Sequence, residues 1–576
     1  MSAPPPRRHP VGQLLYVLAF LIGLAGLGVT VWLNVAQEQW REPVWHTDPQ
    51  EAFVHASIGT ELAPLVVFEA LPALFPDEFA PIDTYLKAEG VTSPPAGDWV
   101  EQYGFVRKPP EDAGRADAGL PVGFIVSRHR PVSGAPSPVP FVGLACAACH
   151  SAEIRVEHDK PGRVLYGVGN PAMNLLAFSE AVRGMILKKE NPEDAESDYV
   201  LTLGAVRRVH AAKGRALTPE ETAMTWLWLR AARGEQVEYQ RVIDEPLEPG
   251  RLFHPFYLRA GPARTQPFRS LVRVHLDRPG MSVDQHRVDQ GFSKVPVVFH
   301  QAHEFHGEWA QFDGSVRNVV ARSALAASTA GATVHSLAEP DIANNIRLAA
   351  DYTLRLSPPT WAGVFGGRAP IDSAKAERGR AAYAENCKAC HGEPDGAGGW
   401  RADPGSKFGT VIELKDIGTD PERVRFRHKS AVPAVVVKKF RDYPKPHPLS
   451  TFTTTDLRAP DGYYAGPIGG AFLRAPYLHN ASVLTLAELI GLEKRRARFY
   501  RGRNLFDFKG VGLESPPAPE QGSKPRDHHY YFLFDTTVPG NANTGHEYPR
   551  FAFAGRPLSA GERAQLEDLL EYLKTL

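Results

Sequence analysis

The one strongly apolar segment of the chain stands near its start. Residues Leu14 to Leu33, LLYVLAFLIGLAGLGVTVWL, carry no charge. At about 1.5 Å of rise per residue such a run spans about 30 Å, the hydrocarbon thickness of a bilayer. Arg7 and Arg8 precede it. The positive-inside rule then predicts a cytoplasmic 1–13, a transmembrane anchor at 14–34 and an external remainder. A cleaved signal peptide is the alternative. Its apolar stretch would be shorter, and WLNVAQEQW offers a poor cleavage site.

Further along, the pattern breaks up. Residues 50–85 hold short apolar runs interrupted by proline, with no strand alternation, and 109–140 are rich in Pro, Gly and Ala and read as loop. Helical periodicity fills 170–235. Within it, TPEETAMTWLWLRAA opens with Thr218 followed three residues later by Glu221, a capping box. After the proline-rich LSPPTWAGVFGGRAPID, a helix is predicted through SAKAERGRAAYAENCKACH. The C-terminus closes with another, N-capped by Ser559 and apolar at Leu566, Leu569, Leu570 and Leu573.

The candidate chemistry lies in two short motifs. Cys146, Cys149 and His150 stand in LACAACHSAE, and Cys387, Cys390 and His391 in ENCKACHGEP. Together they use all four cysteines, so no cysteine is left for a structural disulfide. CxxC alone fits zinc, a redox disulfide or haem, and the adjacent histidine decides. Zinc would need a second ligand pair close by, and no other cysteine exists. The cysteines instead add to the vinyl groups of haem, and the histidine supplies the proximal nitrogen. Two covalently bound haem c groups are expected.

The second axial ligands set the function. The methionines are Met1, Met173, Met185, Met224 and Met281, none of them after His391. The second haem therefore draws on His428, His447, His479, His528, His529 or His546, and a bis-histidine, low-potential centre follows. For the first haem, Met173 and Met185 compete with a core-packing role. His300, His303 and His306 of FHQAHEFHGEW share a helical side, as a distal pocket, a metal site or solvated histidines.

Helix, CxxCH and closing helix is the order of a small cytochrome c domain. The expected fold is mainly α, with two tandem cytochrome c-like haem domains, long ordered loops and one N-terminal transmembrane helix. A juxtamembrane and wrapping segment covers 35–110, the first haem domain 111–356 and the second 357–576. Lys+Arg and Asp+Glu both number 65, and this zero balance argues against a nucleic-acid partner.

Several further stretches resemble one family. They are SIGTE at 57–61, LPALFPDEF at 71–79, LPVGF at 120–124, IGTDPER at 417–423, APYLHNASVLTLAELI at 475–490 and FDTTVPGNANTGHEY at 534–548. In this order they resemble the diheme cytochrome c peroxidase superfamily, within it the branch of diheme rubber oxygenases. The resemblance implies one reactive haem and one six-coordinate haem with two histidines. Carried over by motif, His546 of GHEY is the first choice for the second ligand of haem 2, and His479 of PYLHN the runner-up. It also implies an apolar oxygen pocket at haem 1, and Phe299, Trp309 and Phe312 are candidates for that pocket or for the path between the haems.

The expected function is that of a periplasmic oxidoreductase held in a bacterial inner membrane by its single span. Haem 1 would react with peroxide or dioxygen, and haem 2 would store electrons from a periplasmic or membrane donor. The alternative is a non-catalytic diheme carrier between a membrane donor and a periplasmic acceptor. An anchored chain with histidines in its pocket segment suits a peroxidase-like or other oxidative activity, or simple electron transfer, better than attack on an external polymer.

Overall fold

The computed structural model describes residues 45–75, 99–157, 160–187, 195–243, 260–266, 291–302, 312–424, 437–449, 457–517 and 532–576, with Phe20, Trp40 and Phe79. The segment predicted as an anchor lies outside these residues but for Phe20. Among the described residues no helix is long and apolar enough to cross a membrane. Nor is the fold mainly α behind a membrane helix. Helix makes up 38% and strand 15%, the strand dispersed over one three-stranded and several two-stranded sheets. These strands are two to nine residues long, too short for their alternation to stand out against the prolines.

The elements that position the two motifs are few. Helices α1 (Pro49–His55), α2 (Leu175–Leu187), α3 (Ala195–Ala212) and α4 (Pro219–Ile243) lie in the first half. Later come α5 (Val319–Ala330), α6 (Pro340–Arg355), α7 (Ser373–Asn386), α8 (Lys388–His391) and α9 (Ala560–Leu573). Strands β1 (Ala63–Pro64), β2 (Phe124–His129) and β3 (Pro136–Leu144) form the largest sheet, in the order β1-β3-β2, all antiparallel.

Part of the segment read as loop at 109–140 is therefore strand. Proline usually shuns a central strand because it cannot donate to the ladder. Here β1 pairs only with Phe141 and Val142 of β3, beyond Pro136, Pro138 and Pro140. Along its proline stretch β3 has β2 on one side alone, and the register slips between Ser127 and His129.

The helical expectations hold. At the start of α4 the Thr218 hydroxyl accepts from Glu221 N at 3.1 Å, while the Glu221 carboxylate accepts from Thr218 N at 2.9 Å. Ser559 and Glu562 make the same reciprocal cap at α9. α7 runs directly into the second motif, Cys387 being its C-cap. α9 crosses α7 so closely that a Cβ on Gly379 would lie 1.9 Å from the carbonyl oxygen of Asp568. The Arg378 guanidinium spans the crossing to both oxygens of Asp568, at 2.7 and 2.8 Å.

The first motif is framed differently. It follows β3, not a helix, as a 3-10 turn at Cys146–Ala148 before a further strand, β4 (Ser151–Ile154). The helices beside it come from distant parts of the chain. α1 packs on α6 and on the motif's turn, with the rings of Phe53 and Tyr352 4.8 Å apart. Asn345 of α6 donates to Ser57 O at 3.0 Å, fixing the end of α1.

Candidate haem sites

Both motif histidines are held alike. Nδ1 of His150 lies 3.1 Å from the carbonyl oxygen of Pro296, and Nδ1 of His391 lies 2.9 Å from that of Gly466. A carbonyl acceptor places the proton on Nδ1 and leaves Nε2 as the lone-pair nitrogen for a metal. Burial, helped by the Arg322 charge, pushes His150 down to about 4. Burial also lowers His391, with the Arg474 charge adding to it and the Gly466 bond opposing it. Both rings are thus neutral at neutral pH, as ligation requires.

The four cysteines form no disulfide. Burial pushes the thiol of Cys146 up to about 11 and those of Cys149 and Cys387 to about 12. A redox-active CxxC needs a lowered thiol. Among the described residues no cluster of three His, Cys, Asp or Glu is arranged to hold a metal ion. The raised thiols do not suit a redox-active dithiol, and the two cysteines with their adjacent histidine have the spacing of a haem attachment motif.

Opposite His391 stands His546, with ring centres 6.0 Å apart. Two imidazoles on one metal ion have their centres roughly 6 Å apart, given metal–nitrogen bonds of about 2 Å. Burial, the neighbouring His391 and Arg495 together push His546 down to about 3. Its Nδ1 has no hydrogen-bond partner. The residue sits in the left-handed region, φ 48°, and is fixed by donation from its own N–H to Ile417 O at 2.7 Å.

The loop that carries His546 is clamped from three sides. Asp420 of IGTDPER accepts from Ala542 N at 3.0 Å. Asn480 of PYLHN donates to Gly540 O at 3.1 Å and Ala542 O at 2.9 Å. Arg495 donates to Gly545 O at 2.9 Å and His546 O at 3.3 Å, with Phe553 under its guanidinium. Gly545 has φ 75°, and a Cβ there would strike the backbone of Gly418 at 2.2 Å. Arg495 carries no signal in the sequence, because no local pattern marks an arginine whose partners are carbonyls of a remote loop.

The other candidates separate. His479 stacks on Tyr463, ring centres 4.6 Å apart, and lines a cavity of about 210 Å³ with His546. His447 engages both ring nitrogens with backbone, at Val334 O and Leu449 N. Met173 is wholly buried in the core around Phe124 and Phe178. Phe299 is likewise in the core, not on the wall of either cavity described here. Phe312 lines both cavities and stacks on Tyr463 at 6.4 Å. Trp309, His303, His306, His428, His528, His529 and Met281, and the side chain of Met185, lie outside the described residues.

The larger cavity, about 370 Å³, reaches from Cys146, Cys149 and His150 to His391 and Gly466. Apolar side chains such as Leu175, Leu176, Val297 and Leu325 line much of it, with Gln301, Arg322 and Arg458 among the polar ones. Arg322 is fixed by Gln301 Oε1 at 2.9 Å and Thr353 Oγ1 at 3.0 Å.

Residues 462–501 match the RoxA-like, cytochrome c-like family model, in keeping with this geometry. A cytochrome c-like domain of this type implies covalently bound haem c, with an oxidoreductase or electron-transfer role. The matched stretch contains neither CxxCH motif. It holds what surrounds one of them: Gly466, which accepts from His391, and Asn480 and Arg495, which hold the His546 loop. Over 97% of its length the chain is 25% identical to an uncharacterized protein, y4iJ, of Sinorhizobium fredii, covering 96% of that protein. A second uncharacterized protein of the same organism, y4iM, is 26% identical over 49% of this chain and 64% of its own length.

Proposed function

We propose that the chain is a diheme c-type oxidoreductase of the peroxidase-like kind, with two unlike haem centres. The observation that supports this is an asymmetry. His391 has a second imidazole across from it, His546. Among the described residues lining the larger cavity, His150 meets no methionine and no histidine other than His391. His391 and His546 would together hold haem 2, whereas among the described residues His150 alone would hold haem 1, which would leave that haem able to take up an oxidant.

A bound haem supplies one-electron redox chemistry and, where a position is open, a site for peroxide or dioxygen. The chain contributes the rest. Pro296 and Gly466 fix the tautomer of each proximal histidine. The apolar cavity wall excludes water, and the fixed Arg322 guanidinium provides positive charge beside His150. Haem attachment of this kind takes place outside the cytoplasm, so the periplasm is the proposed location, with an electron donor there or at the membrane as partner.

The test is the visible and electron paramagnetic resonance spectrum of the oxidised protein. One low-spin and one high-spin haem, with the high-spin signal altered by peroxide, is the expected result. Two low-spin haems that ignore peroxide would overturn the enzymatic reading in favour of a carrier.

A further inference from the structure

The smaller cavity has polar wall atoms that the reading above leaves unused. Thr419 Oγ1 and Tyr463 Oη both belong to residues on its wall, and both are buried without a hydrogen-bond partner. A buried hydroxyl without a partner is destabilising. Two such groups on one small cavity therefore point to something that accepts from them. Pro296, Phe312, Ile417 and Leu478 make the rest of the wall largely apolar.

Lys294 lines this cavity and the larger one as well. Its Nζ donates to Arg474 O at 2.6 Å and Pro476 O at 2.9 Å, which engages two of its three N–H donors. Among the described residues, the charges that act on it belong to Arg474 and Arg501, both positive. Burial and these neighbours push the ammonium down to about 7. A buried cation among like charges is stabilised further by an anion at hydrogen-bond distance. An ionised carboxylate accepts hydrogen bonds and donates none, which matches two hydroxyls and an ammonium.

We propose that Thr419, Tyr463 and Lys294 form a carboxylate subsite that receives a propionate of the haem held between His391 and His546. It rests on the diheme reading above. Thr419 and Tyr463 line the smaller cavity alone, but Lys294 lies on the wall shared by the two, so its ammonium borders both haem sites. Its charge favours the reduced iron, and its two backbone acceptors keep it from turning away.

The experiment uses the haem-loaded protein with Tyr463→Phe and Lys294→Met. Tyr463→Phe keeps the ring and removes only the hydroxyl, so folding is not at issue. The low-spin haem should persist in both variants. Its propionate bending band in the resonance Raman spectrum should shift in both, and its reduction potential should fall in Lys294→Met. An unmoved band and an unchanged potential, with two haems and the low-spin signal intact, overturn the subsite alone. An unmoved band, with sodium acetate raising the unfolding temperature of the wild type and not of Lys294→Met, assigns the subsite to a free carboxylate and likewise overturns the propionate. One haem in the wild type, with no low-spin component, overturns the diheme reading and the subsite with it.

Discussion

The imidazole rings of His391 and His546 lie 6.0 Å apart, and each is fixed through its own backbone neighbourhood, not by the other. That separation suits one iron between them. His546→Ala is expected to convert one haem from low-spin to high-spin and to leave the other unchanged. The potential of the altered haem should rise, because an imidazole donor favours the ferric state. His479→Ala should leave the low-spin signal in place, since its ring packs flat on Tyr463. If the two variants behave the other way round, the ligand lies in PYLHN.

Arg495 is a positioning residue for the same ligand. It donates to carbonyls on both sides of it, at Gly545 and His546, and at Glu488 and Leu489. Hydrogen bonds from a charged donor are worth about 1.5–3 kcal/mol each. Arg495→Met keeps much of the packing on Phe553 and loses them all. The expected result is a temperature-dependent mixture of low-spin and high-spin haem, with the low-spin share growing on cooling. A low-spin signal with no temperature dependence would show that the loop holds without its clamp.

What was legible in the sequence follows from range. Both CxxCH motifs, the caps at Thr218 and Ser559 and the helix into Cys387 depend on residues within a few positions, and local pattern reveals them. The strand β3 depends on partners at 63–64 and 124–129, and its three prolines argued against it locally. α1 was hidden for the same reason: seven residues gain their meaning only when packed on α6, nearly three hundred positions later. The quoted motifs were informative in a way their spacing did not explain. SIGTE holds Glu61, which accepts from Ser57 at 2.6 Å and Ser127 at 2.8 Å and so ties α1 to β2. PYLHN supplies Asn480, which holds the loop of His546.

Stability should depend on pH through His129. Its Nε2 lies 2.9 Å from Asp341, and both are largely shielded from solvent. Burial alone would push His129 down, but the Asp341 hydrogen bond, the Glu61 charge and the Gly134 carbonyl outweigh it and hold the ring up at about 9. A raised value means that the stabilisation is fully present below the ordinary value near 6.5 and is lost as pH rises through about 9. The shift corresponds to about 3 kcal/mol at most. The wild-type unfolding temperature should fall between pH 6.5 and 9.5, and His129→Gln should flatten that fall. Parallel profiles for the two proteins would place the pH dependence elsewhere.

Two glycines on crossing helices should respond in opposite directions to the same change. Gly379 of α7 meets the backbone of Asp568 on α9, where an added methyl would come within 1.9 Å of a carbonyl oxygen. A backbone neighbour cannot yield by a rotamer change, so the helices must part, and the Arg378–Asp568 bridge beside the contact loses its alignment. Overpacking of this kind costs about 1–3 kcal/mol, against a gain of about 1 kcal/mol in helix propensity. Gly561 lies in the first turn of α9 with no atom within 4 Å of its would-be Cβ. Gly561→Ala should therefore stabilise slightly, while Gly379→Ala lowers the unfolding midpoint. Cys387 is the C-cap of α7, so on the proposed haem reading the looser crossing should also broaden the spectrum of a haem held by Cys387. Equal effects of the two substitutions in denaturant titrations would mean that α7 and α9 do not cross at Gly379.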